Sequence, residues 1–441
     1  MRKSMGLLAA LSAFCVFPAP ASAESLRDAL AIAYQTNPTI RAERARLRAL
    51  RETRAQAWAG ALPQISAGGS YDRVDTTQSS TLETSSSKLN SLGASVTAEQ
   101  PLFTGFRNLN AIKQAGARIR AGGAQLAGAE QQILLDVAGA YFNVLRNLAV
   151  FDLNTQNVTV LVRQQEMAKA RFNVGEITRT DVSQAEARLA EARARLSSAQ
   201  GNLAIARANY AQLVGQMPGD LDKETELPTL PETLEAAQAV AMQYAPALIA
   251  AREQAEVSRR QVNIARGAFM PSVSLTAGYQ YAEEPSFFIQ NSEEFRFGAR
   301  ASMPIFLGGL NFSRVREAKA LHDGDRSGVV EAERQVDAQT ISAWERLVTT
   351  RAIARSAAAS VEANTLALEG VRAEAMVGTR STLDVLNAEQ EYLNAQVNLV
   401  SAQRDAQTAA FGLLAAIGVL TPEALGISAA VEDGALSLYD E

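Results

Sequence analysis

Residues able to do chemistry are scarce in this chain, and that scarcity narrows its function. His322 is the only histidine and Cys15 the only cysteine. One imidazole without a thiolate cannot build the usual zinc site, so His322, between Leu321 and Asp323 in a polar stretch, reads as a solvated side chain. No Ser-His-Asp or Cys-His set assembles around it. No Gly-rich loop ending in Lys-Ser/Thr is present to cradle a nucleotide phosphate, so any ATP hydrolysis must occur in a partner. The expectation is a protein without catalytic residues, metal or cofactor. What remains are polar residues that follow two Val-Gly pairs: Asp181 after Val174-Gly175, and Arg380, Ser381 and Asp384 after Val377-Gly378. By spacing alone, Ser381 with Asp384, or Asp181 with Gln184, suits a helix N-cap.

The elements that carry these clusters occur twice. Residues 101–215 lie on residues 304–418 without a gap, at an offset of about 203. Tyr141 meets Trp344, Asp181-Val182 meets Asp384-Val385, and Ala185-Glu186 meets Ala388-Glu389. Upstream, at an offset of about 208, Pro63 meets Pro271 and Tyr71 meets Tyr279. Any structure for one half must serve the other.

No proline interrupts the chain between Pro101 and Pro218 or between Pro304 and Pro422, and both stretches are rich in good helix formers. Long helices are expected over 107–172 and 311–376, each roughly 100 Å at 1.5 Å per residue. Glycines at 116, 122, 123, 128 and 139, and the run Asp323-Gly324-Asp325, predict bends within them. Each Val-Gly pair ends a long helix, and a second helix returns antiparallel. The returning helices carry apolar residues at alternating steps of three and four: Val182, Ala185, Leu189, Ala192, Leu196 onward, and Val385, Ala388, Tyr392, Ala395, Leu399 onward. That period specifies a left-handed coiled coil, and its many alanines allow close approach.

Before each long helix the period changes to two. Ile65, Ala67, Gly69 and Tyr71, then Leu92, Ala94, Val96 and Ala98, mark one β-hairpin; Val273, Leu275, Ala277, Tyr279 and Tyr281, then Phe295 to Ile305, mark another. Alternation over about ten residues suits a membrane strand with one lipid face and one aqueous face. Residues 76–87 and 283–291 are expected as solvent loops joining the strands. Trp58 and Tyr71 flank the first strand, where an aromatic belt would sit. Four strands cannot close a barrel in lipid, where every backbone group needs a partner, so the chain is expected to associate with copies of itself. Three copies give about twelve strands and room for an aqueous lumen.

Residues 1–23, with Arg2, Lys3, an apolar stretch and Ala21-Ser22-Ala23, have the pattern of a secretory signal peptide cut after Ala23. Removing it moves the net charge from −5 to roughly −7, a poor balance for nucleic acid binding. Downstream, no run of 18 apolar residues appears, so a membrane crossing would be made by β-structure. The first repeat is placed at 24–218 (hairpin about 64–103, helical hairpin about 107–215), a linker at 219–232, and the second repeat at 233–420 (hairpin about 272–306, helical hairpin about 310–418). An acidic tail at 421–441 lacks periodicity and is expected to be flexible. The arginine-rich stretch 41–54 (Arg41, Arg44, Arg46, Arg48, Arg51, Arg54) reads as a solvated helix face or as tunnel lining.

The internal repeat, the strand ends Pro-Leu-Phe-Thr-Gly (101–105) and Pro-Ile-Phe-Leu-Gly (304–308), and the turns Phe172-Asn-Val-Gly-Glu-Ile-Thr-Arg-Thr-Asp181 and Met376-Val-Gly-Thr-Arg-Ser-Thr-Leu-Asp384 together resemble the TolC-type outer-membrane efflux and secretion channels. The resemblance covers nearly all of the expected mature chain. It implies an α+β membrane protein: a homotrimer with a twelve-stranded barrel in outer-membrane lipid, continued by an α-helical barrel through the periplasm. It implies a passive gated duct for type I secretion, multidrug efflux or both. A periplasmic adaptor and an ABC or RND-type inner-membrane transporter are its implied partners. It further implies that polar links at the tips close the tunnel, involving Thr180 and Asp181 on one turn and Arg380 on the other. The family's inner constriction carries two aspartates a turn apart; here the positions are Asp384 and Asn387, so the implied cation-attracting ring has half the usual charge. A tyrosine of the family's latch is Ala375 here. Val174, Gly175, Val377 and Gly378 would meet the adaptor. The alternative is an exported adhesive or structural coiled-coil protein with a β-anchor; a hairpin before each helical pair, instead of one terminal anchor, favours the channel.

Overall fold

The structure is a computed structural model that describes residues 23–79, 81, 84–223, 229–286 and 288–427. The expected signal peptide, apart from Ala23, and most of the expected tail lie outside the described residues. In chain order the elements are α1 (Leu26–Thr36), α2 (Pro38–Ala59), β1 (Gln64–Ser79), β2 (Thr84–Phe103), α3 (Arg107–Asn173), α4 (Arg179–Val214), α5 (Leu234–Tyr244), α6 (Pro246–Gly267), β3 (Ser272–Ser286), β4 (Ile289–Ser302), α7 (Leu310–Met376) and α8 (Thr382–Ala416). The second six elements repeat the first six.

The four strands form one antiparallel sheet in the order β1-β2-β3-β4. Its register carries the period-two residues across the sheet in rows: Ile65 opposite Ala98, Ala98 opposite Ala277, and Ala277 opposite Phe297. The next row runs Ala67, Val96, Tyr279, Phe295. One face is therefore apolar and outward-facing, with Ile65, Tyr71, Val96, Tyr279, Phe295 and Phe297 all exposed. The other carries Ser66, Thr97, Gly278 and Arg296 in one row. The apolar rows end where Leu92 pairs with Glu283. Beyond them, residues 76–79 and 84–87, expected as loop, continue the strands, as do 283–286 and 289–291. The Ser/Thr-rich arms extend because β-branched threonines suit a strand and each arm finds its pair in the other.

Both long helices run for 67 residues and, as expected, none of their glycines breaks them. α3 contains one window apolar enough to cross a membrane by length and composition, half of it buried within the chain. That is a core helix: its middle supplies Leu134, Val137, Tyr141 and Phe142 to a cluster shared with α1, α4, α5 and α8. The Phe142 ring packs between those of Tyr141 and Phe411, each with centroids 5.8 Å apart. Burial of each such ring stabilises the fold by roughly 1.5–3 kcal/mol. Glu24 closes this girdle. The Tyr210 hydroxyl donates to its carboxylate at 2.6 Å, and the Tyr141 hydroxyl donates to its carbonyl at 2.9 Å and to that of Asp222 at 2.8 Å. Burial raises both phenols above their ordinary pKa, so they act as hydrogen-bond donors throughout the physiological range.

The returning helix α4 buries the expected seam, including Ala185, Leu189, Ala192, Ala199, Leu203 and Ala206. Near its start α8 departs from expectation: Leu386, Glu389 and Leu393 are buried, one position beyond Val385, Ala388 and Tyr392. The shift arises because α8 packs on α3 as well as α7, with Leu386 joining Leu161, Leu189 and Ala192. His322 is half-buried, not solvated, with its Nδ1 3.0 Å from the Ser258 hydroxyl on α6.

The sheet meets the helices at a backbone contact. Gly105, at φ +64°, lies so close to Gly267 that a Cβ on either would come within 2.4 Å of the other's carbonyl oxygen. Gly267→Ala is expected to lower stability by roughly 1–3 kcal/mol through overpacking, measured by urea unfolding of the detergent-solubilised protein.

Candidate functional site

At the end remote from the sheet, the helical hairpins turn at the two Val-Gly pairs. Gly175 and Gly378 sit at φ +80° and +79°, the left-handed region that ends a helix without a Cβ penalty. In each turn two amides fold back: Gly175 N–H donates to the Phe172 carbonyl and Glu176 N–H to that of Arg171, both at 2.9 Å. Gly378 and Thr379 repeat the pattern onto Ala375 and Glu374 at 3.2 and 3.0 Å. Val174, Met376 and Val377 project outward, each more than three-quarters exposed. A turn that holds apolar side chains in solvent has a surface to offer a partner.

Both returning helices open with a capping box, at repeat-equivalent positions. Asp181 Oδ2 accepts from the Thr178 amide at 2.9 Å and hydroxyl at 2.8 Å. Asp384 Oδ2 accepts from the Ser381 amide at 3.0 Å and hydroxyl at 2.7 Å. Asp181 is thus the third helical residue of a box headed by Thr178, not a cap paired with Gln184. These hydrogen bonds hold both carboxyls below the usual aspartate range. A helix N-terminus also favours anionic side chains in its first turn.

Arg380 turns to its own hairpin, donating from Nε to Glu374 at 2.8 Å, and that carboxylate holds the guanidinium charged. Within one chain it makes no hydrogen bond to Thr180 or Asp181, and Thr180 is exposed at the start of α4. Asn387 reaches across hairpins: its Oδ1 accepts from Arg188 of α4 at 3.0 Å.

A stronger tie between hairpins rests on a residue that spacing did not single out. Glu389 is 6% exposed and accepts from Gln164 of α3 at 2.8 Å and from Arg372 of α7 at 3.0 Å. Its counterpart Glu186 pairs with Lys169 at 3.1 Å and Gln165 at 3.3 Å, and is exposed. Lys169 and Arg372 occupy equivalent positions, so the repeat alignment of Ala185-Glu186 with Ala388-Glu389 already held this pair of bridges. The difference is that Glu389 joins three helices. Of the arginine-rich stretch, Arg44 is half-buried, paired with Glu130 at 3.2 Å and stacked 4.4 Å over Tyr34. Arg41, Arg48 and Arg54 are exposed. No group of His, Cys, Asp and Glu among the described residues is arranged to hold a metal.

With this geometry in hand, the chain can be set beside known proteins. The family model described as outer membrane efflux protein matches residues 29–216 and 239–419, one match per repeat. The chain is 31% identical over 415 residues to the outer membrane efflux protein BepC of Brucella suis, covering 93% of this chain and 89% of that one. It is 26% identical over 321 residues to the outer membrane protein TolC of Vibrio cholerae, covering 71% of this chain and 73% of that one. A crystal structure of a membrane protein from Pseudomonas aeruginosa superposes with a TM-score of 0.79 at 20% identity, covering 89% of this chain and 90% of that one.

Glu389→Ala is expected to cost roughly 1–3 kcal/mol, because it removes the buried carboxylate that joins three helices through its hydrogen bonds from Gln164 and Arg372. Glu186→Ala is expected to cost below about 1 kcal/mol, since its ion pair is solvated. Paired denaturation curves check the ranking. The caps also carry a pH dependence. Because both aspartates have folded pKa values below their unfolded ones, the stability they add is complete above the ordinary aspartate pKa and is lost as pH falls through the depressed values. Amide exchange at the starts of α4 and α8 should therefore accelerate, beyond its intrinsic trend, only under distinctly acid conditions.

Proposed function

The chain belongs to the outer membrane efflux protein family, and we propose that it works there as a trimeric, gated exit duct that receives cargo from a periplasmic adaptor and an energised inner-membrane transporter. It is a channel of the Gram-negative outer membrane with a large periplasmic part. The observation that carries the reading is the sheet: four strands with one apolar outward face and two open edges, standing on helical hairpins roughly 100 Å long. An open sheet of this kind is stable in hydrocarbon only when copies complete a barrel, and three copies suffice for a lumen. The relative BepC is named an efflux protein, which supports small-molecule efflux as the first cargo class and protein secretion as the second.

In this reading the tips are both gate and dock. Threefold symmetry gathers three Asp384 carboxylates around the axis, a ring that attracts cations. Thr180 and Asp181 face the Arg380 of a neighbouring turn, while Asn387 and Arg188 link the two hairpins of one chain. With Ala375 in place of an aromatic latch, Arg380 carries more of the closure than it would beside a tyrosine. Val174, Gly175, Val377 and Gly378 present the apolar, backbone-exposing turns that the adaptor's helical tips cover.

Single-channel recording in planar bilayers tests the gate. The protein is expected to show a small conductance that rises several-fold in Arg380→Ala. Open channels unaffected by the substitution would refute the gate and keep the pore; silence from assembled trimers of both forms would refute the pore.

A further inference from the structure

The two halves are not equally covered. α3 packs against both 22-residue helices, α2 and α6, whereas of these two α7 packs extensively only against α6. Near the sheet α3 buries Gln114, Ala115, Ala117, Ala121 and Ala124; the matching part of α7 buries Asn311 and Ala318. Gly105 touches Gly267, yet its equivalent Gly308, at φ +59°, has nothing within 4 Å. Among the described residues the contacts β2–β3, α3–α6 and α3–α8, which run from the first repeat to the second, have no counterpart of comparable extent in β4–β1, α7–α2 or α7–α4. The missing occupant is the first repeat of another copy.

The repeat then gives the seam residue by residue. The offsets are sound for the strands: they carry the pair Ile65–Ala98 onto Val273–Ala301, a pair the sheet contains. Applied to the β2–β3 seam, they carry Ala98–Ala277 onto Ala301–Gly69, Thr97–Gly278 onto Arg300–Ser70, and Ser95–Gln280 onto Gly298–Asp72. Asp72 thereby falls opposite a glycine, on the polar face, flanked diagonally by Arg296 and Arg300. Diagonal neighbours lie about 7–8 Å apart, within reach of arginine. Arg300 and Asp72 form no ion pair within the chain, and Arg296 meets only Glu294 beside it. Beneath the sheet the same operation brings α2 of one copy beside α7 of the next.

We propose that β4 pairs with β1 of the next copy in the register that sets Ala301 opposite Gly69, and that Asp72 locks this register between Arg296 and Arg300. This deepens the trimeric reading and rests on it. A sheet edge alone does not specify register, because backbone groups pair equally well after a slip of two residues. A carboxylate shared by two guanidinium groups does, since a slip of two residues sets Asp72 opposite one arginine and carries the other about four positions away, out of its reach.

Cysteine pairs test the register, because the only natural cysteine precedes the expected cleavage site. Copper-catalysed oxidation of Gly69→Cys/Ala301→Cys is expected to link each chain to the next into a covalent trimer under denaturing conditions, several-fold more than Gly69→Cys/Phe297→Cys or Gly69→Cys/Ile305→Cys. Asp72→Arg is expected to lower the temperature at which trimers dissociate in SDS, and adding Arg300→Asp to restore it. Native-size trimers that cross-link best in a shifted pair, or that gain nothing from the charge exchange, would overturn the register while leaving the trimer intact. Unsubstituted protein that never exceeds monomer size would overturn both.

Discussion

Unpaired peptide groups in hydrocarbon are the constraint on which the molecule turns. A strand edge that is harmless in water costs several kcal/mol for each unsatisfied group inside a bilayer. This chain has a four-stranded sheet with an apolar face and edges at β1 and β4, so the folded monomer is an incomplete object. Everything near the sheet follows from that incompleteness. The strands alternate strictly because one face meets lipid and the other water. The helices beneath must hold the sheet at a fixed height and tilt, which the Gly105–Gly267 contact does by letting two backbones touch.

The tunnel obeys a different constraint. Helices this long cannot be held by a globular core, because most of their surface stays exposed. They are held instead by seams of alanine and leucine that recur along each returning helix, with one true core near the middle, around Tyr141, Phe142 and Phe411. Small residues let helices lie close enough that many weak dispersion contacts accumulate where few large side chains can be buried. Glu24 and the two buried tyrosines act at this girdle, where the segment just before α1 and the linker near Asp222 are fastened beside the helices.

The architecture was legible because repetition and period are global signals. The offset, the switch from period two to period 3.5, and the glycines at the turns required no knowledge of packing. What stayed hidden depended on a third dimension. The arms at 76–87 have loop composition, and only the pairing of one arm with the other makes them strands. Glu389 and Glu186 look alike in sequence; only the approach of α3 to α8 buries one and leaves the other in solvent. Asp181 fits the spacing rule both with Gln184 and with Thr178, and only the backbone of the turn makes it the third residue of a box headed by Thr178. His322 reads as solvated until α6 places Ser258 beside it.

The two halves are equivalent in backbone and unequal in charge, and this inequality is what a threefold duct built from a twofold repeat requires. A seam between identical repeats would not distinguish the partner within a chain from the partner between chains. Here the first seam sets the neutral pair Ser95 and Gln280 at the position that Gly298 and Asp72 hold between copies in the proposed register. Around that position the polar face holds Asp72 on β1 and Arg296 and Arg300 on β4. The tips also differ in charge order: Arg171 meets Glu176 in one turn at 3.9 Å, while in the other Glu374 stands at the position of Arg171 and holds Arg380. Neutral contacts tolerate the covalent neighbour, whose register the connecting chain already limits. In the proposed register the shared carboxylate sits where no covalent connection exists, and there electrostatic pairing selects among registers that backbone hydrogen bonding alone leaves equal.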